Sequence, residues 1–113
     1  MPAERAHRHD LMPGTLHMLV LKILESGPMH GYGIAQQLRY LTDEALQVEE
    51  GSLYPALQRM RQKGWIKAEW RQTPNNQRAR YYTVTAAGRR HLGVEMSRFG
   101  DLVAIIGAVL RTT

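Results

Sequence analysis

The sequence predicts a mainly α-helical chain with one small β-hairpin: a winged helix-turn-helix followed by a long C-terminal dimerisation helix. Three observations carry this expectation. Apolar periodicities run in the order helix, helix, helix, hairpin, helix. Basic charge concentrates on the third helix and the hairpin. The last segment repeats apolar residues at alternating steps of four and three.

A chain of 113 residues suits one small domain whose core is marginal alone, so self-association would help it. The chain contains no cysteine, which excludes a disulfide framework and thiolate chemistry. It has no apolar run of the roughly 18 residues a membrane span needs, and its start, MPAERAHRHD, does not read as a signal peptide. The expectation is a soluble cytoplasmic protein. The formal charge of +5 gains meaning once located. Residues 59–90 hold nine Arg and Lys against Glu69 alone, a local +8, which leaves −3 for the remainder. Such segregation points to a polyanion partner, and the winged helix-turn-helix order makes double-stranded DNA the expected one.

Residues 1–11 are polar and aperiodic and are expected to form a flexible N-terminal arm; 12–85 form the DNA-binding domain and 86–113 the dimerisation helix. Thr15 is suited to N-cap a first helix running to about Ser26. That helix is apolar almost all round, which suggests that a partner subunit covers it through residues such as Leu16 and Leu19. Gly27-Pro28 ends it. A second helix spans about Gly31 to Leu41, with Ile34, Leu38 and Leu41 facing inward and Tyr32 and Tyr40 packing beside it.

The third helix, GSLYPALQRMRQK over 51–63, places Leu53, Ala56, Leu57 and Met60 on one buried face, and Gly64 stops it. Its other face is polar and basic. Pro55, Gln58, Arg59 and Gln62 point away from the core, with Tyr54 and Arg61 on one flank. A cap at Ser52 would put Pro55 in the tolerant first turn, whereas a start at Glu49 would put it deeper and remove a hydrogen bond. Strands follow at 65–71 and 79–85, where Ile66, Ala68, Trp70, Tyr82 and Val84 alternate with polar neighbours; Trp70 is expected in the core. Between them QTPNNQ supplies turn chemistry and places Asn75 and Asn76 at a tip flanked by Arg78 and Arg80.

Thr85 caps the last helix, which runs to about Arg111. Leu92, Met96, Phe99, Val103, Ile106 and Leu110 form an a/d seam, widened by Leu102, Ile105 and Val109, and this seam predicts a homodimer.

Remaining clusters suggest no chemistry. His7, His9 and Asp10 are metal-capable residue types in the arm, but no metal site or cofactor is expected. His17, His30 and His91 lack ligand spacing. No Gly-rich phosphate loop follows a strand and no nucleophile has an evident base, so the chain is not expected to be an enzyme.

Three stretches taken together, MPGTLHMLVLKILESGPMHGYGIAQQL, GSLYPALQRMRQKGWIKAEW and RARYYTVTAAGRRHL, resemble the N-terminal domain of PadR-family transcriptional regulators over residues 12–92. The resemblance implies a bacterial dimeric repressor. It puts Ser52, Tyr54 and Pro55 on the DNA-reading helix, and Arg78 and Arg80 on the wing. Glu49-Glu50 depart from the small capping residue and proline common in relatives, and are not expected to approach DNA. The expected function is a sequence-specific DNA-binding regulator, a homodimeric repressor reading an inverted repeat. Tyr54 and Gln58 would make base contacts, and Lys63, Arg78 and Arg80 phosphate or minor-groove contacts. Two alternatives are a sensor repressor with a small-molecule effector at the dimer interface, and a winged-helix adaptor for protein contacts. The first lacks a tryptophan on the last helix, which offers only Phe99; the second would want an apolar outer face on the third helix.

Overall fold

A computed structural model describes residues 13–112, in the order α1 (Pro13–Leu24), β1 (Met29–His30), α2 (Gly31–Leu41), α3 (Glu50–Gln62), β2 (Ile66–Gln72), β3 (Arg78–Val84) and α4 (Ala86–Leu110). The N-terminal arm with His7, His9 and Asp10 lies outside the described residues.

Helix α1 starts at Pro13, so Thr15 sits inside it and is not its cap. A first-turn proline has a helical φ already fixed and no N–H that would need a partner. Leu16, Met18, Val20, Leu21, Ile23 and Leu24 are all buried. The chain itself covers them: α2, α3, β3 and α4 pack around α1. The expectation that a partner subunit covers this helix is therefore corrected, and among its Leu, Met, Val and Ile residues only Leu19 is half-buried.

His30 N-caps α2, its Nδ1 accepting the Gly33 N–H at 2.8 Å. Ile34 and Leu38 face the core, but Leu41 does not. The chain leaves the helix there through Thr42, whose hydroxyl donates to the Leu38 carbonyl at 2.6 Å, and through Asp43 and Glu44 at positive φ. This last turn overhangs the body, and Tyr40 beside it is exposed rather than packed.

Helix α3 ends in paired C-terminal bonds, Trp65 N–H to Met60 O and Gly64 N–H to Arg61 O, both 3.0 Å. They require a left-handed residue, and Gly64 supplies it at φ 79°. The three strands order β1-β3-β2, all antiparallel. Ile66 faces Val84 and Ala68 faces Tyr82 on the side turned to the helices. Trp70 and Arg80 continue that same side. At that point the hairpin has run past the helical body, so Trp70 is 58% exposed and not part of the core.

Thr85 ties α4 to the turn after α3. Its hydroxyl accepts the Gly88 N–H at 3.0 Å and donates to the Gly64 carbonyl at 2.6 Å, while its own N–H reaches the Trp65 carbonyl at 3.0 Å. The approach is close enough to need glycine, because a Cβ on Gly88 would run into that carbonyl oxygen. Only Gly88 and Leu92 of α4 are buried. A helix of 25 residues is about 37 Å long, and beyond Leu92 its large apolar side chains are exposed.

Candidate nucleic-acid interface

Leu53, Ala56, Leu57 and Met60 anchor α3 through side chains with at most 1% of their surface exposed. This burial fixes the rotation of the helix and turns Ser52, Tyr54, Pro55, Gln58, Arg59 and Gln62 outward, all exposed, with Lys63 just beyond the last turn. The N-cap is Glu49, whose carbonyl accepts the N–H groups of Ser52 and Leu53 at 3.0 Å each. Pro55 is therefore the sixth helical residue, and the Gly51 carbonyl four residues earlier faces a nitrogen without hydrogen. Of the two caps open on sequence grounds, the structure adopts the one that strains the helix.

Gln58 and Arg61 act as a pair, the guanidinium donating to Gln58 Oε1 at 2.8 Å. Tyr54 lies across the start of α2, where a Cβ on Gly31 would sit 2.9 Å from its ring. Burial, then the Glu50 carboxylate and then Tyr82, push its phenol above the ordinary value, so at neutral pH it is an uncharged donor.

The wing is a tight loop. Thr73 N–H donates to the Gln77 carbonyl at 2.6 Å, the Thr73 hydroxyl accepts from Gln77 N–H at 3.2 Å, and Asn76 takes φ 64°. Asn75 and Asn76 are exposed at its tip. The two faces of the hairpin differ electrostatically. On one, Arg71 is neutralised by Glu69 at 2.7 Å and lies over Tyr81. On the other, Arg78 and Arg80 lie 5.3 and 5.8 Å from the Trp70 ring. Neither forms an ion pair among the described residues, and the buried Nε of Arg80 has no partner there.

That second face looks across a cleft at His30 from β1, Tyr32 and Gln36 from α2 and Tyr54 from α3. Two of these groups depart from the sequence expectation. Tyr32 is exposed at the rim instead of packing beside α2, and Trp70 forms a wall instead of core. The alternation places Trp70 on the correct face but carries no information on how far the hairpin overhangs. An uncharged donor, a capping imidazole, an exposed indole and two unpaired guanidiniums suit a sugar-phosphate strand. No group of three potential metal ligands lies among the described residues, and no helix there is long and apolar enough to cross a membrane.

The predicted dimer seam divides in two. Leu16 and Leu92 are buried in the chain's own core, because α4 packs on α1 through its first turns. Met96, Phe99, Val103, Ile106 and Leu110 stand exposed further along α4, together with Leu102, Ile105 and Val109.

The model of the transcriptional regulator PadR-like family matches residues 20–94. Among solved structures, a PadR family transcriptional regulator from Eggerthella lenta is 31% identical, with a TM-score of 0.75 over 88% of this chain and 85% of that one. A PadR family transcription regulator from Clostridium difficile is 29% identical, with a TM-score of 0.74 over 84% of this chain and 97% of that one. A transcriptional regulator from Clostridium thermocellum is 26% identical, with a TM-score of 0.78 over 84% and 92%. The match spans α3, the hairpin and the first turns of α4, and the chain belongs to the PadR-like family of DNA-binding transcriptional regulators, which are not enzymes.

Proposed function

We propose that the chain works in the bacterial cytoplasm as a homodimeric repressor that binds an inverted repeat and blocks transcription by occupancy. The observation that carries this reading is convergence: Tyr54 from α3 and the inner face of the wing open onto one cleft whose arginines form no ion pair among the described residues.

In this reading α3 enters the major groove, which admits one α-helix. Ser52, Tyr54, Pro55, Gln58, Arg59 and Gln62 then face base edges. With its oxygen engaged by Arg61, Gln58 presents amide N–H donors, which suit acceptors such as guanine O6 and N7 or thymine O4. The Pro55 ring is a compact apolar surface for a thymine methyl. Lys63, Arg78 and Arg80 meet phosphates, and Asn75 and Asn76 bring the tip to the adjacent backbone or minor groove. The exposed apolar stripe of α4 supports the dimer: Met96, Phe99, Val103, Ile106 and Leu110 would pack on the partner, with Leu19 at the margin. An adaptor would need an apolar outer face on α3, and this one is polar and basic.

The test separates reading from positioning. An operator is selected from a random duplex pool, and Q58A and R80A are titrated against it and against random DNA over a range of salt. R80A should weaken every duplex and flatten the slope of log K against log salt by about 0.9 for one lost phosphate contact. Q58A should relax preference at one position. Equal losses on selected and random DNA for both variants would refute the assignment.

A further inference from the structure

The residues that join α4 to the end of α3 include one buried group with no role in DNA contact. His17 on α1 is 6% exposed, and its Nε2 has no hydrogen-bond partner among the described residues. Its ring meets the edge of Trp65 at 5.8 Å and 69°. The indole is stacked on His91 of α4, with centroids 3.7 Å apart and planes 12° apart. Through its backbone Trp65 also closes α3 by donating to Met60 O, and holds the start of α4 by accepting from Thr85 N–H. One residue thus links the helix assigned to reading DNA with the helix assigned to dimerisation, and His17 supports it from below.

We propose that His17 makes this junction proton-sensitive: neutral, it packs under Trp65 and holds α3 and α4 in register; protonated, it leaves the core, frees the junction and lowers DNA affinity. An imidazolium carries N–H donors on both nitrogens, and here one would be buried without an acceptor. The charges facing it are unfavourable. Arg59 approaches from α3, Lys63 from its C-cap and His91 from α4, and the one carboxylate facing it among the described residues, Glu95 of α4, also lies 3.9 Å from His91 and 3.4 Å from Arg98. Burial first, then Arg59, His91 and Lys63, hold the His17 imidazole below its ordinary value of 6.5 against the opposing pull of Glu95.

The sign follows. The unfolded chain takes up the proton near 6.5, and the folded chain takes it up only at lower pH. The stabilisation from neutral burial is complete above that value, falls as pH drops through it, and levels off below the folded-state pKa. DNA affinity should fall in the same direction. This is opposite to the gain that added positive charge at a DNA-facing surface would bring.

The affinity part rests on α3 being the reading helix; the stability part does not. Thermal midpoints of the full chain and of H17Q are measured at pH 7.5 and 5.5, at constant ionic strength and protein concentration. In W70F, Trp65 is the remaining tryptophan, and its emission is followed over the same range without DNA. Affinity is measured on the unmodified chain and H17Q, with Trp70 intact. The unmodified chain should lose about 4 °C or more on acidification, H17Q less than half as much, and Trp65 emission should shift below pH 6.5 while the domain stays folded. Affinity of the unmodified chain should fall several-fold, and that of H17Q should not. Equal midpoint losses in both proteins, or flat Trp65 emission should H17Q not fold, would overturn the junction. A supported junction with affinity that rises on acidification would overturn its link to DNA. Absence of duplex binding at either pH would instead contradict the reading of α3.

Discussion

Gly88→Ala should destabilise this protein although alanine is the better helix former. In an open helix the exchange gains about 1 kcal/mol. At Gly88, the third residue of α4, the new Cβ runs into the Trp65 carbonyl oxygen and comes within 2.9 Å of Val84 Cγ2. The carbonyl is backbone, held by the Thr85 N–H at 3.0 Å, so it cannot swing aside as a side chain would. Overpacking costs about 1–3 kcal/mol, and losing that hydrogen bond adds about 1. Against the propensity gain, the net loss is about 1–3 kcal/mol. In a domain of this size each kcal/mol moves the thermal midpoint by about 4–8 °C. Gly93→Ala is the internal control, because it lies on the same helix with nothing within 4 Å of the new atom. It should be neutral or gain up to about 1 kcal/mol. Urea titrations at one protomer concentration would measure both, since a dimer's apparent stability depends on concentration. A Gly88→Ala protein as stable as its Gly93→Ala counterpart would refute the close approach of α4 to the α3–β2 turn.

Pro55→Ala restores an N–H to the Gly51 carbonyl and should raise the urea midpoint, by up to the ~3 kcal/mol that an interior proline costs, while it weakens selected DNA more than random DNA. A chain that gains no stability would mean that Pro55 does not interrupt the ladder. Charges at Phe99 and Ile106, introduced as glutamates, should halve the mass seen in sedimentation and leave the helical circular dichroism of the DNA-binding domain in place; an intact dimer would place the interface elsewhere.

Much of this architecture was legible in local patterns. The spacing of Leu53, Ala56, Leu57 and Met60 located α3 to within a residue, and Gly64 its end. Thr85 was correctly read as a cap, because capping needs only a hydroxyl and the following turn. Strand β1 is not legible in the sequence, since Met29 and His30 are too few to show a period and form a strand only because Tyr81 and Tyr82 face them. Tertiary reach was the other blind spot. Periodicity assigns a side chain to a face and says nothing of where the opposing layer stops. Trp70 and Leu41 therefore read as core yet overhang it, and Leu16 and Leu92 read as intermolecular yet fill the chain's own interior. Tyr32 belongs to the cleft because the wing folds back over α2, a contact between segments about forty residues apart.

The central claim is that two copies of this chain read DNA together, each through α3. Two-fold symmetry then requires the half-site centres to lie on one face of the duplex, about 34–36 Å or a multiple apart, which is about 10 or 20 base pairs. The direct measurement is affinity and footprint on the selected operator, with about 5 or about 10 base pairs, a half or a full turn, inserted between the half-sites. The account predicts collapse to non-specific affinity with the half-turn insertion, and at most partial recovery with the full turn. Affinity and footprint unchanged by the half-turn insertion would mean that each protomer binds alone, and would contradict it.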